Sequence, residues 1–345
     1  MQKHIVFGAG LIGGFLGGVL TSLGLDTTLV GRASVKQKLA NGLKLTDYSD
    51  NQAVAPKLKL LDNNDLATQS FENQSFDFLW ITVKCTAVEK IYTEILPLVS
   101  PNTIIFCCQN GLGSDQIIKE QFPANTVLRV MVPFNVAEPK GGHLHRGSEG
   151  TLYIENTPSQ QGILDALVQQ INAPIMPVTS TDNMDAILWA KLQLNLGNSV
   201  NALADIPVKS MLEQRAYRLV IAALMKELLM VTDKLGIQLP KLTAVSAHVI
   251  PKILSLPSFI YKRVMKKVLA IDPTVRSSMW WDLSQGKQTE IDHLNGAVVQ
   301  AAKEIGISCP ANENIIQLVK AVEQTPLDQR KGGLSGKRLL EEIKK

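Results

Sequence analysis

The sequence predicts an α/β protein, a parallel-sheet domain followed by an all-α domain, and three observations predict it. In the first half, short continuous apolar runs alternate with stretches whose apolar residues recur at helical spacing, as in strands covered on both faces by crossover helices. In the second half the strand signal fades and amphipathic helical patterns succeed one another. Finally, 345 residues at 45% hydrophobic outgrow a single core, which stops growing at about 250–300 residues.

In chain order, HIVFGAG (4–10), TTLVGR (27–32), FDFLWITVK (76–84), TIIFCCQNG (103–111) and VLRVMVPF (127–134) read as buried strands. Intervening segments such as AVEKIYTEILPLV read as helices, which makes the sheet parallel. Candidate strands at His143–His145, 151–156 and 174–180 are expected to close that sheet in mixed direction. From Asp182 to Gln324 the chain reads as helices. Asp182 with Asp185, and Thr289 with Asp292, have the spacing of helix starts. Pro207, Pro240, Pro251, Pro257, Pro273 and Pro310 mark breaks between helices. The expected domains are 1–180 and 181–326, followed by a polar, glycine-broken segment, 327–345, read as a mobile tail with a short helix.

Composition excludes several classes. The net charge of +4, from 35 Lys+Arg against 31 Asp+Glu, is spread thinly, so no nucleic-acid partner is expected. Cys85, Cys107, Cys108 and Cys309 have neither C-x-x-C spacing nor a paired framework; a reducing, cytoplasmic setting is expected. The uncharged run from Gly8 to Leu25 approaches the length of a membrane span. It is broken by glycines, lacks a small-residue cleavage site and follows a strand, so neither a span nor a signal peptide is expected. His143 and His145 have no further ligand at metal spacing and read as loop or strand-edge histidines. The basic stretch Phe259–Lys267 reads as a solvated helix rather than a lipid-binding one.

Gly8-Ala9-Gly10-Leu11-Ile12-Gly13 is a G-x-G-x-x-G that follows a strand and opens a helix. Its glycines permit a tight turn, close approach of a pyrophosphate and close helix–strand packing, and the helix N-terminus offers free N–H groups to phosphate. The domain is therefore of Rossmann type. After the second strand stands Gly31-Arg32, without the acid that would bond ribose hydroxyls. An arginine there favours a 2′-phosphate, so NADPH is the expected cofactor.

In the helical half, Lys191, Asn195 and Ser199 fall within about 80° of one another on a continuous helix, with Asn198 beside Lys191. Periodicity leaves open whether this stripe lines a cleft or faces solvent. Downstream, with Thr289 as N-cap, Glu290 would take the first helical position, where the macrodipole favours its ionised form. Acids in first turns commonly do no more than stabilise the helix.

These residues resemble the ketopantoate reductase (2-dehydropantoate 2-reductase) family over most of the chain. The resemblance is carried by GAGLIGG, Gly31-Arg32, Thr82-Val83-Lys84, Gln109-Asn110-Gly111-Leu112-Gly113 and Trp189-x-Lys191-Leu192-x-x-Asn195. It continues in Ser277-Ser278-Met279 and Thr289-Glu290-Ile291-Asp292-x-Leu294-Asn295-Gly296. It implies Lys191 as catalytic lysine with Glu290 as its acidic counterpart, and Asn110 bridging cofactor and reaction centre. It also implies substrate contacts from Asn195 and Ser278, and Arg32 and Lys84 at the adenosine phosphate. Many members have a second asparagine eight residues after the lysine. Here Ser199 stands there with Asn198 adjacent, so the substrate's hydroxyl end and its identity are left open.

The expected reaction is NADPH-dependent reduction of 2-dehydropantoate, with Lys191 protonating the nascent alkoxide in a cleft between the domains. Its partners would be a small 2-oxo acid and a second copy in a homodimer, with neither a metal nor a membrane involved. The rivals are a reductase of another 2-oxo acid and an NADP-sensing protein without chemistry.

Overall fold

The structure, a computed structural model, describes residues 2–69, 71, 75–266, 269 and 272–345. It divides into two compact units, Met1–Met184 and Asp185–Lys345.

The first unit contains β1 (Lys3–Phe7), β2 (Asp26–Val30), β3 (Leu43–Asp47), β4 (Gln52–Ala55), β5 (Lys59–Leu61) and β6 (Phe78–Ile81). It continues with β7 (Ile104–Cys107), β8 (Val127–Met131), β9 (Val136–Lys140), β10 (His143–Arg146), β11 (Leu152–Glu155) and β12 (Val178–Thr181). Eight of these form one sheet in the order β12-β11-β8-β7-β6-β1-β2-β5. From β8 to β5 the pairings are parallel, while β11 pairs antiparallel with β8 and parallel with β12. The mixed closure read from the sequence is thus found at β11 and β12. Strand order reverses about β1, which lies between β2 and β6, and the carboxyl ends of such a switch point form the ligand crevice of doubly wound sheets.

His143–His145 does not close this sheet. It belongs to β10, an interior strand of a separate sheet in the order β4-β3-β10-β9, so the reading as loop or edge histidines is corrected as well. Thr46 Oγ1 lies 2.7 Å from His143 Nε2 and 2.8 Å from His145 Nδ1 on the face of β3 and β10 opposite Leu43, Leu45 and Leu144.

The small sheet explains the uncharged run. Helix Leu11–Ser22 is buried from Gly13 to Leu20. A Cβ on Gly17 would stand 2.7 Å from Leu29 Cγ in the large sheet, and one on Gly18 would stand 2.6 Å from Leu43 Cδ2 in the small one. A Cβ on Gly14 would stand 3.0 Å from Leu144 Cδ1. The helix packs against both sheets, so it is apolar all round and glycine-rich for close approach. Among the described residues, no helix is long and apolar enough to cross a membrane. The helix expected after β6 is broken into Cys85–Lys90, Tyr92–Ile95 and Leu96–Leu98, with Pro97 in the last turn.

The second unit is helical: Met184–Asn195, Gly197–Ala204, Val208–Glu213, Arg215–Lys234, Ile250–Ser255, Ser258–Val264, Ser278–Ser284, Asn295–Glu304, Pro310–Gln324 and Gly336–Glu342. Prolines open several of these helices, with Pro207 and Pro257 at N-caps and Pro251 and Pro310 in first turns. Of the basic stretch, Ser258–Val264 is helical with Phe259 76% exposed; Lys267 lies outside the described residues. The segment read as a mobile tail is docked. Leu339 and Ile343 are buried, the Tyr217 hydroxyl donates to the Leu334 carbonyl at 2.9 Å, and Leu334 N–H donates to the Leu203 carbonyl at 2.8 Å.

Candidate active site

In the first unit the predicted cofactor residues gather at the carboxyl ends of β1, β2, β6 and β7. Gly8, at φ +102°, makes the tight turn, and the N–H groups of Gly8 and Ala9 donate to the Val30 carbonyl at 2.9 and 2.8 Å. The Thr82 hydroxyl donates to the Phe7 and Gly8 carbonyls at 3.0 and 2.9 Å, fixing the loop from the β6 side. Buried Gln109 donates its amide to the Ile81 and Val83 carbonyls at 2.8 and 3.1 Å. Thr82 and Gln109 stand in the motifs quoted above, but sequence reading alone gives them no role.

The three motif glycines differ in cause. A Cβ on Gly8 would meet Val83 Cγ1 at 2.7 Å, and one on Gly13 would run into Thr82 Oγ1 and the Gly8 carbonyl. Protein packing alone requires glycine at both. A Cβ on Gly10 would meet only the Gly8 carbonyl at 3.9 Å, and the backbone is at φ −71°, so nothing in the protein excludes a side chain there. Gly10 is the N-cap of Leu11–Ser22 without a side-chain cap, leaving the bare first-turn N–H groups of Leu11 and Ile12 beside it. That cradle fits a diphosphate.

Arg32, exposed at the end of β2, makes no side-chain hydrogen bond or ion pair among the described residues. The acids on the neighbouring element are engaged. Asp62 and Asp65 form a capping box, and both pair with Lys36, which leaves the positive charge of Arg32 unopposed. Lys84 is exposed after β6 at the N-cap of Cys85–Lys90. Asn110 is exposed after β7, its carbonyl accepting from Cys85 Sγ at 2.9 Å.

In the second unit Lys191 is half-buried on helix Met184–Asn195, and burial lowers its pKa from 10.5 to about 8. Asn195, one turn on, and Asn198 are also half-buried, and neither side-chain amide has a hydrogen-bond partner among the described residues. The helix does not run straight through. At Leu196 the N–H is shared between the Leu192 carbonyl at 3.1 Å and the Gln193 carbonyl at 3.4 Å, and a new helix starts at Gly197. Ser199 is consequently fully buried, and its hydroxyl donates to the Leu196 carbonyl at 2.9 Å. Of the two residues standing for the family's second asparagine, Ser199 thus has its hydroxyl spent within the helix pair, while the Asn198 amide stays uncommitted.

Ser278, exposed, begins helix Ser278–Ser284. Its neighbour Ser277 is the N-cap, accepting from Trp280 N–H and donating to the Asn198 carbonyl, both at 3.2 Å, so the structure ties the Ser278 segment to the Asn198 segment. Glu290 is buried but not in a first turn: helix Asn295–Glu304 starts five residues later, and the Glu290 carbonyl accepts from His293 and Leu294 N–H in the preceding turn. The expected helix-dipole argument for Glu290 is corrected accordingly. The Thr289 hydroxyl accepts from Ile291 N–H at 3.3 Å, and Thr289 N–H is taken by the Glu323 carboxylate at 2.7 Å. Asn295 is structural: its amide donates to Asn312 Oδ1 at 2.9 Å, and Asn312 is gripped by Glu227. Among the described residues no group of three or more His, Cys, Asp or Glu could hold a metal ion.

A glycine turn at a sheet's switch point, and further along the chain an all-helical unit carrying a lysine of lowered pKa, define a Rossmann-type protein with a helical C-terminal unit. The chain belongs to the ketopantoate reductase PanE/ApbA family of oxidoreductases, whose description matches residues 4–159, with its C-terminal part matching residues 183–323. The 2-dehydropantoate 2-reductase of Archaeoglobus fulgidus is 22% identical over 94% of this chain and 98% of its own. The crystal structure of a PanE/ApbA family ketopantoate reductase from Ralstonia eutropha is 27% identical with a TM-score of 0.73, covering 93% and 98% of the two chains. D-mandelate dehydrogenase with NADH and anilino(oxo)acetate shares the fold, at 19% identity and a TM-score of 0.74 over 93% and 98%.

Proposed function

We propose that this protein reduces 2-dehydropantoate to pantoate with NADPH. The observation that carries the reading is Lys191, whose half-buried amine has a pKa brought down to about 8 on the stretch that bears the uncommitted amides of Asn195 and Asn198. A lysine so placed is protonated near neutrality yet gives up its proton more readily than an ordinary one. The names of the curated relatives point to the same substrate.

NADPH, when bound, supplies the hydride that reduces the keto carbon. The bare backbone at Gly10 and the first-turn N–H groups would hold its diphosphate, and Arg32 with Lys84 its adenosine phosphate end. Asn110 would lie toward the reacting end. As the carbonyl oxygen gains charge, the Lys191 ammonium neutralises it and transfers a proton from Nζ. Ser278 would bond the substrate carboxylate, Asn195 and Asn198 its distal groups, and Glu290 would orient lysine or substrate.

A second reading, a reductase of another 2-oxo acid, is favoured by Ser199, whose buried and committed hydroxyl leaves the distal end of the substrate to Asn195 and Asn198. Following NADPH consumption by absorbance with 2-dehydropantoate beside several unbranched 2-oxo acids separates the two. Highest kcat/KM for 2-dehydropantoate is expected; a better unbranched acid moves the assignment to the second reading. Lys191→Ala is expected to keep NADPH affinity and lose about two orders of magnitude in kcat or more; near-normal turnover removes the proton donor. Arg32→Ala is expected to lower the preference for NADPH over NADH about tenfold or more, loss of a charge-assisted phosphate contact being the cause. An unchanged ratio means that Arg32 does not read the 2′-phosphate.

A further inference from the structure

Asp205 is one of two non-glycine residues with positive φ among the described residues. At φ 51° and ψ 33° it ends helix Gly197–Ala204 in the left-handed region, where an L side chain is strained. Glycine is commonest at such a position, with asparagine and aspartate next, so the choice of aspartate over glycine calls for a reason. Its carboxylate provides one: Oδ1 accepts from the Trp280 indole N–H at 2.7 Å and from Arg276 Nη1 at 3.3 Å. The Arg276 guanidinium in turn lies over the Trp280 ring, 4.4 Å from its centroid. The Asp205–Arg276 pair is half exposed and contributes little by itself; the short indole bond is the specific contact.

Two more bonds join the same helix to the same segment. Ser277 N–H donates to Asn201 Oδ1 at 2.9 Å, and the Ser277 hydroxyl donates to the Asn198 carbonyl at 3.2 Å. Ser278 sits between the two tethered residues, Ser277 and Trp280, and its own side chain is exposed. We propose that Asp205 and Trp280 are positioning residues: their hydrogen bond, made possible by the left-handed turn, fixes Ser278 relative to Asn198 and so sets the affinity for the 2-oxo acid. This rests on the reading above, in which both residues meet the substrate. A strained backbone retained beside a binding segment is what preorganisation requires.

The test compares Asp205→Gly, Asp205→Asn, Trp280→Phe and Ser278→Ala in the full-length enzyme, with the best 2-oxo acid of the panel. Asp205→Gly relieves the turn but removes the acceptor. It is expected to melt at or above the wild-type midpoint, to raise KM for the 2-oxo acid about tenfold and to leave kcat within about threefold. KM for NADPH should not move. Trp280→Phe keeps the ring and loses the donor, and should raise the same KM. Asp205→Asn keeps an acceptor and tolerates the turn, and should stay within about twofold of wild type. If Ser278→Ala raises KM while Asp205→Gly and Trp280→Phe do not, the latch is wrong and the reading of the site stands. If the latch variants raise KM and Ser278→Ala does not, the latch stands, acting through Asn198, and the assignment of Ser278 fails. If all three leave KM alone, both fail. A fall in melting midpoint that tracks the rise in KM in Asp205→Gly marks a merely structural contact and overturns the proposal.

Discussion

Burial of the Lys191 amine has opposite consequences for stability and for rate. Its pKa falls from 10.5 to about 8 in the folded chain, while the unfolded chain keeps the ordinary value. Between those two values the unfolded state binds more protons, so stability rises with pH through that window. Below about 8 the fold bears the whole cost of the buried charge, roughly 3 kcal/mol at most. Turnover runs the other way, because in the proposed reaction the protonated amine is the donor: kcat should fall as pH rises through about 8. A kcat profile at saturating cofactor and substrate that stays flat to pH 10 rules this out. Lys191→Met should abolish that limb together with turnover and raise the unfolding midpoint at pH 7. Lys191 and Asn195 stand out in the sequence because helical periodicity and the family motif both pick them, while Asn198 is picked by periodicity alone. The local structure around Ser199 and Glu290 escapes such a reading for a different reason. Whether the helix continues past Leu196, and where the last motif turns into helix, is decided by contacts far along the chain, such as Thr289 N–H to Glu323.

Among the elements, helix Leu11–Ser22 shows how one residue type serves two purposes. Gly17 is a glycine because Leu29 occupies the space of its Cβ, whereas Gly10 has no such neighbour and is left for the proposed diphosphate to explain. Gly17→Ala should therefore destabilise the first unit by about 1–2 kcal/mol, overpacking of about 1–3 kcal/mol outweighing a gain in helix propensity of up to about 1 kcal/mol. Gly10→Ala should unfold at the wild-type denaturant concentration yet bind NADPH about tenfold or more weakly, since its methyl would occupy the diphosphate's approach. Denaturant titration and cofactor titration on both variants check this, and undiminished NADPH affinity in Gly10→Ala would mean that the cradle holds something else. The middle of the large sheet is readable because β1, β2, β6, β7 and β8 are apolar runs, whereas β5, three residues long and little buried, is not. The small sheet is not either: LKLTD and VAEPK bury alternate residues or fewer, and β10 pairs parallel with β3 nearly a hundred residues earlier. Short local patterns carry no sign of such a partner.

At the scale of the molecule, composition alone misplaces the last residues. A stretch rich in lysine, arginine and glycine reads as solvated, yet residues 331–345 seat on helix Arg215–Lys234 and on the end of helix Gly197–Ala204. The glycines that make the segment look loose are what let it approach. A Cβ on Gly336 would stand 2.9 Å from the Tyr217 nitrogen, and one on Gly333 would strike the Ala204 carbonyl and stand 2.8 Å from Asp205 Cβ. The obstacle at Gly333 is largely backbone, which cannot swing aside as a flexible side chain would. Gly333→Ala should therefore lower the stability of the helical unit by about 1–3 kcal/mol. Ending the chain at Arg330 removes the buried Leu339 and Ile343, each contributing about 1.5–3 kcal/mol when fully buried, and uncovers Tyr217. A loss of roughly 3–5 kcal/mol is expected, confined to the transition of the second unit, since two-domain chains need not unfold in one step. Denaturant unfolding followed by hydrogen exchange in each unit measures this. A shortened chain whose helix Arg215–Lys234 exchanges as slowly as the full one would show that the docked segment adds no stability.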